Sequence, residues 1–299
     1  DAYGHIDELN ATLGLARASS PDPSIALRLE QLQRDLFALG ARLADPATRI
    51  AGRVTKAALG PDDVARLEAY LRNAEAGFAY FYGAPSNYAW LCLLPSYLER
   101  EGSSLVAMAQ HFVQQSPAGE SGFFLKGLDE LRFRLETLEA NGVPTVILGV
   151  TFALLDWAES LPKPMPLKHS IIMETGGMKG RRVEPSRAEV HKTLQHAFGL
   201  DRIHSEYGMT ELLSQAYSQG EGRFRCPPSM RVIPRDLEAP RLQAPLESRC
   251  GINIVDLANA DSCAFIATED AGRVFADGSF EVLGRLESAE LRGCTLMAL

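Results

Sequence analysis

The sequence predicts an α/β fold, a mixed sheet with crossover helices and C-terminal hairpins, preceded by a partial α-helical bundle segment. Three observations carry this. Up to about residue 76 the chain is rich in Ala, Leu, Arg and Glu and almost free of β-branched runs. From Gly77 onward short β-branched runs alternate with amphipathic stretches, the pattern of a parallel or mixed sheet with helical crossovers. After about Gly251 the spacing shortens, and Asp277-Gly278 between two apolar strands is a hairpin signal.

The elements follow in order. Ala2 to Ala18 reads as a helix. Leu29, Leu32, Leu36, Leu39 and Leu43 recur at three- and four-residue steps, giving one apolar stripe on a second helix, begun by Asp22-Pro23-Ser24 and closed before Pro46. Pro61 to Ala76 reads as a third, with Pro61 at its first position and Asp62 and Asp63 in the electropositive first turn. Thr145 to Val150 is a strand, Thr151 to Ser160 an apolar helix, Ser170 to Met173 a strand leading into a loop over Glu174 to Gly180, and Arg187 to Phe198 an amphipathic helix. Arg273 to Phe275 and Phe280 to Val282 are the arms of the hairpin.

The 299 residues carry 30 Lys plus Arg against 38 Asp plus Glu, a net charge of −8. That balance disfavours a nucleic-acid partner, which needs a basic footprint. The apolar runs fall short of the roughly 20 residues of a membrane span, and no signal peptide opens the chain. Cys92, Cys226, Cys250, Cys263 and Cys294 are odd in number with no CxxC pair, so the cysteines fit a reducing cytoplasm better than a disulfide framework or a zinc site. His191 and His196, five apart on one helix, cannot both face one metal. The chain opens on Asp1 rather than methionine, which reads as a processed chain or a fragment.

No G-x-S-x-G elbow, Walker phosphate loop or H-E-x-x-H motif is present. The richest stretch is Ile203-His-Ser-Glu-Tyr-Gly-Met-Thr-Glu-Leu212, a polar loop leaving a strand. In it Tyr207 could stack on a base, Thr210 could bond a phosphate oxygen and Glu211 could hold Mg²⁺; an ordinary strand-to-helix loop capped by Thr210 is the competing reading. Glu174-Thr-Gly-Gly-Met-Lys-Gly180 places Gly176 and Gly177 where backbone can approach a flat base closely. Phe265-Ile-Ala-Thr-Glu-Asp-Ala-Gly-Arg-Val274 contains Asp270, whose carboxylate can accept from two vicinal ribose hydroxyls.

These segments, with Val282-Leu-Gly-Arg285 after them, follow the order seen in adenylate-forming enzymes. The wording of Leu93 to Arg100, Glu101 to Leu105, Ser121 to Leu125, Met173 to Arg182, His204 to Tyr217 and Leu291 to Cys294 closely resembles the bacterial acyl-protein synthetase family, the fatty-acid-activating component of the bioluminescence fatty acid reductase complex. The resemblance covers about Phe78 to the C-terminus. It implies activation of a fatty acid by ATP with Mg²⁺ to an acyl-adenylate, transfer of the acyl group to a cysteine thiol, and an acyl-CoA reductase-type partner. It also implies that Gly176, Gly177, Tyr207, Gly208, Thr210, Asp270 and Arg285 bind ATP, that Glu211 holds Mg²⁺, and that Cys294 is the thiol. A buried cysteine acting as a small hydrophobe is the competing reading of Cys294.

The adenylate-forming pattern further implies a Ser/Thr/Gly-rich phosphate loop just before Phe78, and residues 1–77 carry none; no lid with a catalytic lysine follows the hinge. Instead, Asp1 to Gly14, Leu32 to Gly40, Arg53-Val-Thr and Arg66-Leu-Glu68 resemble the ATP:corrinoid adenosyltransferase family, a trimeric five-helix bundle. Asp7, Glu8 and Asn10 match its first motif, and polar positions on a bundle helix are the competing reading. The sequence therefore reads as a chimera: residues 1–76 adenosyltransferase-like, residues 77–299 acyl-protein synthetase-like. Acyl activation is the favoured activity, ATP:cob(I)alamin adenosyl transfer the alternative, and a catalytically inactive chain the third reading.

Overall fold

The computed structural model describes residues 61–94, 103–124, 127–176, 185–259 and 263–286, with side chains from residue 68 onward. The chain divides into two units, Asp1–Ala69 and Tyr70–Leu299. The helices expected before Pro61, with Asp7, Glu8 and Asn10, lie outside the described residues, as do Gly177 and Cys294.

The α/β unit begins within α1 (Pro61–Tyr82). It continues through β1 (Ala89–Leu93), α2 (Ser104–Gln115), β2 (Gly122–Phe123), α3 (Leu128–Ala140), β3 (Thr145–Val150), α4 (Thr151–Ser160), β4 (Ser170–Thr175), α5 (Arg187–Phe198) and β5 (His204–Tyr207). Then come β6 (Ala216–Ser218), β7 (Arg223–Arg225), β8 (Met230–Arg235), β9 (Cys250–Asp256), β10 (Phe265–Val274) and β11 (Phe280–Arg285). The eleven strands among the described residues belong to one sheet in the order β2-β1-β3-β4-β5-β6-β7-β11-β10-β9-β8. The first five are parallel and the remainder antiparallel, so the sheet is mixed, as expected.

Burial explains the texture of the parallel half. Each residue of β1 and of β3 is buried, consistent with helices on both faces, which is why these strands read as unbroken apolar runs. Right-handed crossovers put α2 on one face and α3, α4 and α5 on the other. The aromatic packing agrees: the Phe78 ring of α1 meets Phe112 of α2 at 5.5 Å, Trp90 of β1 at 5.0 Å and Tyr217 of β6 at 5.9 Å, whereas Trp157 of α4 packs on Phe198 of α5 at 4.8 Å. Phe78 is fully buried, a gain of about 2–3 kcal/mol by area.

Two boundaries differ from the sequence reading. The third helix does not stop at Ala76 but runs to Tyr82, because Tyr70, Ala74 and Phe78 continue one apolar face into the α/β core across Gly77. The change in composition at Gly77 thus falls inside a helix, and the two units divide seven residues earlier. Strand β4 extends through Glu174 and Thr175, both expected in the loop, because Gly149 and Val150 of β3 pair with them.

Candidate functional site

In an open α/β sheet, ligands lodge beyond the carboxyl ends of the parallel strands, where the loops and helix N-termini converge. Here a cleft, partly open to solvent, lies at the ends of β4 and β5. Glu174, Thr175 and Gly176 enter it from β4; Glu206, Tyr207, Gly208 and Thr210 enter from β5. Ser103 and Ser104 bring the N-terminus of α2 to its edge, with the Ser103 hydroxyl accepting the Val106 N–H at 3.4 Å as the helix cap.

Strand alternation sends neighbouring side chains to opposite faces of the sheet. On the α5 face, Glu174 is 1 % exposed, with Arg187 Nε 3.2 Å from its Oε1 and His191 Nε2 at 3.6 Å. Burial alone would raise its pKa, but the hydrogen bonding and charge of His191 and the Arg187 guanidinium prevail and hold the carboxyl below its ordinary value. Arg187 also donates to the Val282 carbonyl at 3.1 Å and lies 5.0 Å from the Phe224 ring, so one side chain ties α5 to β4, β7 and β11. The Thr151 hydroxyl donates to the Gly176 carbonyl at 2.6 Å and sits 3.0 Å from Glu174 Oε2. It thereby fixes the turn in which Gly176 adopts φ +73°, where a β-carbon would be strained.

On the opposite face Glu206 is also buried, and its Oε2 accepts the Thr175 hydroxyl at 2.5 Å. Burial pushes this carboxyl up to about 7; the Thr175 hydrogen bond works against the rise and the charge of Glu174 adds to it. A β-carbon on Gly208 would lie 2.5 Å from Glu206 Oε1, so glycine is what lets this carboxyl reach across the loop backbone. Gln215 is 3 % exposed, lines the same wall, and its Oε1 has no hydrogen-bond partner among the described residues.

The structure brings four of the sequence-derived site residues, Gly176, Tyr207, Gly208 and Thr210, to the cleft. Tyr207 is 4 % exposed; its ring packs edge-on against Phe224 at 5.8 Å and Phe280 at 5.5 Å, and its hydroxyl donates to Asp270 Oδ2 at 2.7 Å. Burial and the Asp270 carboxylate push the Tyr207 hydroxyl far up, so it remains a donor. Asp270 was expected to meet two ribose hydroxyls; here one of its oxygens already holds Tyr207, and it is not among the residues that line the cleft. Arg285, opposite Asp270 in the β10–β11 ladder, pairs with Glu269. Glu211 is exposed outside the cleft, and its backbone carbonyl accepts Asn259 Nδ2 at 2.7 Å.

Sequence reasoning missed Glu206, Gln215, Arg187 and Thr151. Glu206 stood inside the quoted His204-to-Leu212 stretch, but no pattern says that a strand-end glutamate is buried; Arg187 carried no signal beyond opening a helix. Among the described residues no group of three His, Cys, Asp or Glu could hold a metal, and no helix is long and apolar enough to cross a membrane.

A cobalamin adenosyltransferase family model matches residues 1–109. Residues 70–109 of that match lie in the α/β unit, where they include β1. No curated protein matches. Among solved structures, ATP-bound MatB from Rhodopseudomonas palustris is 17 % identical with a TM-score of 0.52, covering 73 % of this chain and 44 % of that one. The O-succinylbenzoate coenzyme A synthetase MenE from Bacillus subtilis, in complex with ATP and magnesium ion, is 15 % identical with a TM-score of 0.51, covering 75 % and 48 %. The amide bond synthetase McbA from Marinactinospora thermotolerans is 15 % identical with a TM-score of 0.50, covering 76 % and 47 %. The α/β unit has the fold of these three enzymes, and the chain spans less than half the length of each.

Proposed function

We propose that the α/β unit activates a carboxylic acid with ATP, forming an acyl-adenylate and pyrophosphate. One acid oxygen attacks the α-phosphorus and the bond to the pyrophosphate oxygen breaks. The observation that supports this best is the cleft itself: Gly176, Tyr207, Gly208 and Thr210 converge at the ends of two parallel strands, with Asp270 fixed behind Tyr207 by a hydrogen bond. Tyr207 and the glycines would form the wall for adenine, Thr210 would donate to phosphate, and Asp270 would take the ribose once nucleotide competes for it. Gly177 and Arg285 complete the proposed ATP set.

Mg²⁺ belongs to this reading. Glu211 offers an exposed carboxylate, the kind of ligand Mg²⁺ takes singly beside phosphates and waters, and the ion would neutralise charge on the leaving pyrophosphate. The finer reading is a fatty acid as the acid and a cysteine thiol as the acyl acceptor, the thioester forming as AMP leaves, with a reductase-type protein receiving the acyl group in a reducing cytoplasm. Cys294 is the proposed thiol. Burial pushes Cys92 and Cys226 up to about 12, which makes both poor thiolates at neutral pH.

Acid-dependent exchange of labelled pyrophosphate into ATP tests the proposal, with a fatty acid as first substrate. Exchange that needs both acid and Mg²⁺ supports it; no exchange from a folded chain that also fails to bind Mg·ATP refutes it in favour of an inactive chain. The match over residues 1–109 favours a second reading, corrinoid adenosylation by the N-terminal segment, with residues 1–76 and 77–299 as separate functional parts. Reduced corrinoid and ATP would then give the adenosylcorrinoid spectrum; an unchanged spectrum excludes it.

A further inference from the structure

The cleft has two walls of different chemistry. Tyr207, Glu174 and Arg187 belong to the α5 face, whereas Tyr70, Met108, Thr175, Glu206 and Gln215 belong to the face covered by α1 and α2. The first wall carries the proposed nucleotide contacts, which leaves the second for the acid. A wall made only for an alkyl chain would be apolar throughout. Instead it contains one buried acceptor that no donor among the described residues meets, Gln215 Oε1, and beside it the carboxyl of Glu206, which accepts the Thr175 hydroxyl on Oε2 and, among the described residues, nothing on Oε1. A buried acceptor left unmatched costs about 1–3 kcal/mol, so a ligand that brings a donor gains what the empty site lacks. Gly208 keeps the approach to Glu206 open, since any side chain there would collide with the carboxyl.

We propose that Glu206, with Gln215 beside it, is the specificity determinant of the acid site, and that the acid it selects carries a hydrogen-bond donor, a hydroxyl or an ammonium group, on its acyl chain. The inference rests on the adenylation reading and narrows it: Met108 and Leu105 receive methylenes, while the donor is anchored on Glu206. A plain alkyl chain would bury the Glu206 oxygen against carbon and lose the difference.

Equilibrium titration calorimetry on the full chain tests this without requiring turnover, using octanoate and its β-hydroxy, ω-hydroxy and ω-amino derivatives. At least one donor-bearing acid is expected to bind about tenfold or more tightly than octanoate, and Glu206→Met should erase that preference. Glu206→Gln, which keeps the shape and one acceptor, should retain a preference for hydroxyl and lose one for ammonium; should the methionine variant not fold, this split decides. Octanoate binding as tightly as all three derivatives, or a preference that survives Glu206→Met, overturns the inference and leaves adenylation standing. Failure of all four acids to bind overturns both.

Discussion

Glu206→Gln should make the protein more stable in mild alkali while leaving it unchanged in acid. In the unfolded chain this carboxyl titrates near its ordinary 4.5, and in the folded chain near about 7. The folded state therefore binds more protons between these limits, and folding stability falls as pH rises through them. The groups that face the carboxyl account for the direction. Glu174 on β4 adds negative charge, Tyr70 of α1 and Tyr217 of β6 supply a buried, neutral surround, and the Thr175 hydroxyl favours the ionised form. At about 1.36 kcal/mol for each pH unit, the ionised carboxylate costs roughly 3 kcal/mol above neutrality and nothing below the unfolded value. Glutamine has the same shape and no charge to desolvate. Urea denaturation at about pH 8.5 should show the variant more stable by up to roughly 3 kcal/mol, and at about pH 4.5 the two proteins should coincide within roughly 0.5 kcal/mol. An equal difference at both pH values would mean that Glu206 is not held neutral by burial, and the reasoning would fail.

His204, two residues away, should act in the opposite sense: burial first, then the charges of Arg202 and His191, hold it down to about 4 from 6.5, so stability is lost as pH falls between those values, and His204→Gln should flatten that acid limb of a thermal-melt profile. Arg187→Met removes the guanidinium beside Glu174 and should cost about 3–5 kcal/mol at neutral pH in urea denaturation, with partial recovery on acidification as the buried carboxylate takes up a proton. Gly272→Ala would drive a β-carbon into the Glu281 carbonyl and within 2.6 Å of Ile252 Cδ1, so a loss of about 1–3 kcal/mol is expected from the same measurement. Tyr207→Phe leaves one Asp270 oxygen without its donor and should cost about 1–3 kcal/mol; on the proposed function it also weakens Mg·ATP binding, read by calorimetry.

The parallel half of the fold was legible because its strands are buried on both faces: Thr145 to Val150 cannot hide among surface residues, and helix Arg187–Phe198 has the predicted bounds because Ser186 and Glu189 cap each other and Gly199, at φ +60°, ends it. The β1 strand was quoted only in part, and α3 carried a weak stripe, with Phe133 exposed where a clean pattern has a polar residue. Of the cleft lining, Gly176, Tyr207, Gly208 and Thr210 stand in the segments that the resemblance singles out. What could not be read was which carboxylates are buried. Glu174 and Glu206 look alike in sequence, and their difference arises only when β4 and β5 pair and send them to opposite faces.

That difference has a consequence for how the site can work. Two carboxylates at the ends of adjacent strands would repel strongly if both were ionised in one cavity. The sheet turns them to opposite walls of the cleft, where the charge of Glu174 still adds to the rise at Glu206, and each wall sets a different state: Arg187 and His191 keep Glu174 ionised, whereas burial leaves Glu206 close to half-protonated at physiological pH. A pair driven apart in this way gives one group fixed in charge and one that changes charge on small provocation. The fixed group holds Arg187 in place and with it the joint between β4, β7 and β11. The responsive group faces the wall proposed for the acid. An ammonium-bearing ligand would draw Glu206 into its ionised form and release its proton, while a hydroxyl would not. The two donors can therefore be told apart by proton release on binding, measured as the dependence of the calorimetric heat on the ionisation enthalpy of the buffer.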